Sequence, residues 1–143
     1  MSNNVRKLKV VANPDDFKRQ HDDDAGFDLR AKKEVTLIEG KPVRVPTGVR
    51  VEIPKHHVGL LAIRSSVSLR GISLANGVGI IDSGFRGEIE VALVSLNGNQ
   101  TIFEDERIAQ LLIVPLRPVK VEYVEELKGS ERGEGGFGST GKK

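Results

Sequence analysis

Branched aliphatic residues occupy alternate positions over several short stretches of this sequence, and that alternation restricts the fold more than any other feature. Val43 and Val45, then Val49, Val51 and Ile53, enclose Arg44, Arg50 and Glu52. Ile89, Val91 and Leu93 alternate in the same way with Glu88 and Glu90, and Val119, Val121 and Tyr123 with Lys120 and Glu122. Successive side chains of a strand point to opposite faces, so each stretch reads as a half-buried strand. Turn-forming residues separate them at Gly40 to Pro42, Pro46 to Gly48, Pro54, Gly84 to Gly87 and Asn97 to Asn99. The spacing predicts roughly nine to eleven short strands in an all-β sandwich or barrel. Helix is expected only as one turn at Ser66 to Arg70, with Ser65 or Ser66 as its cap.

Such a fold needs one aliphatic core. The chain has 143 residues, enough for one domain, and with no Trp and a single Tyr the core falls to Val, Ile and Leu. From Gly129 to Lys143 the only hydrophobic side chain is Phe137, so this stretch cannot anchor itself by burial. We therefore divide the chain into a β domain over 1–128 and a flexible Gly-rich arm over 129–143. Cysteine is absent, which removes disulfides, thiolate nucleophiles and Cys-based metal sites. The formal charge of +2 is spread over interspersed signs, which argues against a nucleic-acid polymer as the ligand. No apolar run is long enough to span a bilayer and the polar N-terminal residues lack a signal-peptide core, so the expected location is cytoplasmic.

Five short clusters carry the chemistry. In Ala25-Gly-Phe-Asp28-Leu-Arg-Ala31 an acid interrupts a strand pattern; such an Asp is often an ion-pair partner. Arg64-Ser65-Ser66 follows the apolar strand Val58 to Ile63, placing a cation and two hydroxyls where a turn exposes backbone N–H groups: an anion site or simply a capped turn. In Asn76-Gly-Val-Gly79-Ile-Ile81-Asp82-Ser-Gly84-Phe85-Arg-Gly87, an acidic turn is flanked by Ile80, Ile81 and Phe85. If those side chains partly desolvate Asp82, its carboxylate becomes a tuned general base; otherwise it is a turn former. Gln110 sits inside the apolar strand around Arg107 to Val114 and is paired with backbone or reaching a ligand. His56 and His57 are strand neighbours whose side chains diverge, so they are expected at the surface or rim and do not share a metal.

The last cluster is the C-terminal arm. Gly136 to Gly141 satisfies a dinucleotide fingerprint in letters alone, but no strand precedes it and no helical segment follows in this sequence. What remains is a run of glycine N–H groups, the hydroxyls of Ser139 and Thr140, the forked cation of Arg132 and the flat face of Phe137. Together they could bind a polyphosphate and a base; the alternative is a disordered tail.

In this order, from about Ala25 to Gly141, the clusters resemble the five motifs of the trimeric dUTP diphosphatase (dUTPase) family, most specifically in Arg107-Ile-Ala-Gln110-Leu111 and in Arg132 to Gly141. The resemblance implies a distorted β jelly roll and a homotrimer with active sites at subunit interfaces, hydrolysing dUTP to dUMP and pyrophosphate. It assigns Asp82 to the attacking water and Asp28, through water, to a magnesium ion. Arg64, Ser65, Ser66, Gln110, Arg132, Ser139 and Thr140 would hold the triphosphate. A hairpin with Asn76, Gly79 and Ile81 would read the uracil, Phe85 would pack on the deoxyribose and Phe137 would stack on the base. Three positions depart from the family's usual residues: Phe85 for Tyr, Ser66 for Gly, and Gly84 for a second Asp. The alternatives are a dCTP deaminase on the same fold, which uses a glutamate absent from Asn76 to Phe85, and a nucleotide-responsive regulator that works through a protein partner.

Overall fold

A computed structural model describes residues 5–138. Among them are eleven strands: β1 (Lys9–Val11), β2 (Phe17–Lys18), β3 (Phe27–Arg30), β4 (Val35–Leu37), β5 (Val43–Glu52), β6 (His57–Ile63), β7 (Ile72–Leu74), β8 (Gly79–Ile81), β9 (Glu88–Ser95), β10 (Gln100–Ile102) and β11 (Arg107–Pro115). One turn of helix, α1 (Ser65–Ser68), joins β6 to β7. All recorded strand pairs are antiparallel, in a four-stranded sheet β1-β5-β9-β7, a five-stranded sheet β2-β3-β11-β6-β8 and a small β10-β4 pair. The arrangement is a distorted jelly roll. Among the described residues no helix is long and apolar enough to cross a membrane.

The alternation read from the sequence decides which faces meet. In β9, Ile89, Val91 and Leu93 are buried while Glu88 and Glu90 are exposed. Leu29 and Leu111 come from the five-stranded sheet, Val45 and Leu93 from the four-stranded one, and all four have no exposed surface. Every buried hydrophobic residue among those described is aliphatic, as the aromatic-poor sequence requires. Each such Leu or Val contributes about 1.5–3 kcal/mol through burial. At one rim Lys32 bonds Asp105 at 2.7 Å and Asp16 at 3.2 Å, which raises the Lys32 pKa; the same bond lowers that of Asp105.

Three local expectations change. Pro46 to Gly48 is not a turn between two strands but an irregularity inside the ten-residue β5, where the register against β9 shifts between Pro46 and Arg50. Gly48 takes φ +71°, and the fully buried Thr47 hydroxyl donates to the Ile89 carbonyl at 2.6 Å, substituting for a ladder bond. Val119 to Tyr123 is not a strand: Val119 is 86% and Tyr123 94% exposed, because alternation makes a strand only where another strand completes the ladder. The helical turn begins at Ser65, and its N-cap, Arg64, makes no side-chain capping bond, so neither serine caps it.

Thr47→Val keeps the shape but leaves the Ile89 carbonyl without that donor. It should lower unfolding stability by about 1–3 kcal/mol, read as a lower urea midpoint at unchanged m.

Candidate active site

Asp28 is held where β3 meets β11. Gln110 lies opposite Asp28 on one side and Ala62 of β6 on the other, so the three form one row across the sheet. The Asp28 side chain is only 17% exposed and two guanidinium groups face it, Arg107 Nη1 at 3.3 Å and Arg64 Nε at 3.9 Å. Gln110 stands over Gly26: a Cβ built there would lie 2.6 Å from Gln110 Oε1, which is why a glycine precedes this strand. Among the described residues the Gln110 amide makes no hydrogen bond, so the alternative of backbone pairing falls away. At the end of β6 the Arg64 N–H donates to Ile108 O at 3.2 Å, fixing the start of α1 beside this row. The first-turn N–H groups of Ser65 and Ser66 have no backbone acceptor among the described residues. Ser66 lies within α1 and is not among the residues of positive φ, so a side chain here strains nothing.

Arg107 is a member of this cluster that sequence reasoning missed. On a regular strand, residues three apart face opposite ways, which separates Arg107 from Gln110. The register of β11 against β3 shifts between Arg107 and Ala109, with Ile108 and Ala109 both buried, and this irregularity returns Arg107 to Asp28. The available signal was the pair of consecutive apolar residues between two polar ones.

The second predicted group, Asn76, Gly79, Ile81, Asp82 and Phe85, lies at the far edge of the same sheet. Gly79 pairs with Leu61 and Ile81 with Gly59, and a Cβ on Gly79 would sit 2.8 Å from Leu61 Cβ. β7 and β8 belong to different sheets, so Asn76 lies on a crossover between them and not at the tip of a two-stranded hairpin. Asp82 opens a tight turn closed by Phe85 N–H to Asp82 O at 3.1 Å. The expected desolvation is not supplied within one chain: Asp82 is exposed, Ile80 is 59% exposed and Phe85 43%. The Phe85 ring lies against Gly87, where a Cβ would come within 2.7 Å of Cζ. Gly84 has open space around it. Asp82 borders a cavity of about 340 Å3 with His56, His57 and Arg117. His56 is exposed and His57 half-buried, at the rim as expected.

These two groups do not meet in one chain. Asp82 lies three strands away from Asp28 and about four residues further along, roughly 20 Å on an ideal sheet. Among the described residues the arm joins neither group. Arg132 donates from Nε to Gly135 O within a local turn, and Phe137, at φ +49°, is fully exposed. Ser139 and Thr140 lie outside the described residues.

A model of the dUTPase family matches residues 12–141. The chain is 43% identical over 141 residues to a deoxyuridine 5'-triphosphate nucleotidohydrolase of Anaeromyxobacter sp., covering 96% of each chain. The solved structure of a Staphylococcus bacteriophage 80alpha dUTPase with dUpNHpp superposes with a TM-score of 0.86 at 30% identity, over 96% of this chain and 99% of that one. A mutant dUTPase from phage phi11 of S. aureus, described with a structural Mg(II) ion, superposes with a TM-score of 0.76 at 26% identity, over 85% of this chain and 98% of that one.

Gly79→Ala should cost about 1–3 kcal/mol by forcing β8 from β6, whereas Gly84→Ala should cost almost nothing. Chemical denaturation of the two variants side by side reads the difference.

Proposed function

The chain belongs to the dUTPase family, and we infer that it is a dUTP diphosphatase, hydrolysing dUTP to dUMP and pyrophosphate at a site shared between chains. The activity limits dUTP available to DNA synthesis and supplies dUMP. One observation carries the shared site: the carboxylate at Asp82 and the cationic cluster at Asp28 stand far apart on one rigid sheet. A closed ring of three chains, joined head to tail, brings the Asp82 edge of one against the Asp28 row of the next. The uncovered apolar side chains of Val119, Val121, Tyr123 and Leu127 are consistent with such neighbours. Absent cysteine is compatible with a reducing cytoplasm as the working compartment.

In this reading Asp82 accepts a proton from a water whose oxygen attacks the α-phosphorus. The bond from that phosphorus to the bridging oxygen breaks in line, and pyrophosphate leaves with the electron pair. Arg64 meets the phosphate charge, Ser65 and Ser66 offer hydroxyl and backbone donors, and Gln110 supplies an amide not engaged elsewhere among the described residues. Asn76, Gly79 and Ile81 read the uracil edge chiefly through main chain. Phe85, settled on Gly87, walls off a ribose 2′-hydroxyl. Arg132, Ser139 and Thr140 complete the phosphate shell as Phe137 stacks on the base, and closure of the 129–143 arm over the 1–128 domain excludes bulk water.

Magnesium fits this donor set as an ion carried by the triphosphate. Among the described residues no three His, Asp or Glu side chains converge, and Asp28 is already matched by Arg64 and Arg107, which suits contact through water. When bound, the ion neutralises charge on the triphosphate oxygens.

Asp82→Asn should bind dUTP with near wild-type affinity and lose about 10²–10⁴-fold in turnover, measured as pyrophosphate release. A wild-type rate in this variant would reject Asp82 as the base.

A further inference from the structure

The turn α1 offers Ser65 and Ser66 to the substrate, yet four residues are too few to hold a helix by themselves. Two anchors fix it. Val67 is buried beneath the turn at 3% exposure, and Arg70, just beyond its end, is tied to two other elements. Arg70 Nη1 donates to Glu106 Oε1 at 2.5 Å, Nη2 to the Thr101 carbonyl at 3.0 Å and Nε to Gln100 Oε1 at 3.4 Å. Gln100 Nε2 donates back to the Arg70 carbonyl at 2.7 Å. The second oxygen of Glu106 accepts from Phe103 N–H at 3.0 Å, and the Glu106 carbonyl accepts from Ala31 N–H at 2.9 Å.

This network sits between the two sides of the cationic cluster. Arg64, Ser65 and Ser66 precede Arg70 on one side; Arg107 and Gln110 follow Glu106 on the other, with Asp28 on β3, which ends at Arg30 just before Ala31. One guanidinium therefore joins the end of the turn to β10 and to Glu106, the residue that precedes β11 and whose carbonyl holds Ala31 after β3. Its fork meets a carboxylate, a carbonyl and an amide oxygen at once, which a lysine cannot reproduce. The Arg70 and Glu106 side chains are 34% and 27% exposed, so the pair is partly shielded from solvent.

We infer that Arg70 and Glu106 are positioning residues for the triphosphate, setting the gap between the Arg64–Ser66 turn and the Arg107–Gln110 strand. The inference rests on the dUTP diphosphatase reading and extends it to residues that do not touch substrate. The uracil is read by a separate group, Asn76 to Ile81, so the pair governs recognition of phosphate and not of base.

The test compares the wild-type chain with Arg70→Lys, Arg70→Ala and Glu106→Gln. KM and kcat for dUTP come from pyrophosphate release, and deoxyuridine serves as a competing ligand that lacks phosphates. Arg70→Ala should raise the KM for dUTP about tenfold with a small effect on kcat, while the deoxyuridine inhibition constant stays within about twofold. Arg70→Lys and Glu106→Gln should fall between wild type and Arg70→Ala. Should Arg70→Ala fail to fold, these two milder variants decide the matter. An unchanged KM in the folded variants, or an equal loss of dUTP and deoxyuridine affinity, overturns the positioning role. A wild-type chain that releases no pyrophosphate from dUTP overturns instead the function on which it rests.

Discussion

The antiparallel pairing of β11 with β3 on one side and β6 on the other is the constraint from which the site follows. Its register sets Gln110 between Asp28 and Ala62 and brings Arg64 alongside. The same register sends β8, and Asp82 after it, to the opposite edge. A one-residue slip would turn every alternating core side chain to solvent, so the placement of both groups is as secure as the core itself. The separation of acid from cations is thus a property of the sheet, and in our reading a second chain closes it.

The charge arrangement follows the same logic. Asp28 accepts a hydrogen bond from Arg107 at 3.3 Å, but Arg64 is 3.9 Å away, beyond a hydrogen bond. That leaves Arg64 able to turn to a phosphate. Asp82, by contrast, has no cation within ion-pair distance among the described residues and is open to water in one chain. In our reading its surroundings are supplied on assembly and on closure of the arm.

Much of this was legible in the sequence because alternation and turn residues are local signals. The strands around Ile89 to Leu93, Val58 to Ile63 and Arg107 to Val114 appear where the pattern puts them, and the helical turn expected at Ser66 to Arg70 forms at Ser65 to Ser68. The failures share one cause, which is that local pattern cannot report a partner. Pro46 to Gly48 reads as a turn, but Thr47 and β9 carry the strand through it. Val119 to Tyr123 has perfect alternation and, among the described residues, no strand to pair with. Arg107 was lost because a register shift, invisible to a period-two reading, rotates it back to Asp28. The flanking apolar residues of Asp82 suggested a burial that one chain does not supply.

The shared site is tested most directly by mixing two inactive chains. Asp82→Asn and Arg64→Ala chains, unfolded together in equal amounts and refolded as mixed trimers, each lack one half of the site. The account predicts that pyrophosphate release from dUTP returns to about a quarter of the wild-type level, the fraction of interfaces that unite an intact Arg64 with an intact Asp82. A mixture as inactive as its two components would place both groups in the same chain's site and contradict it.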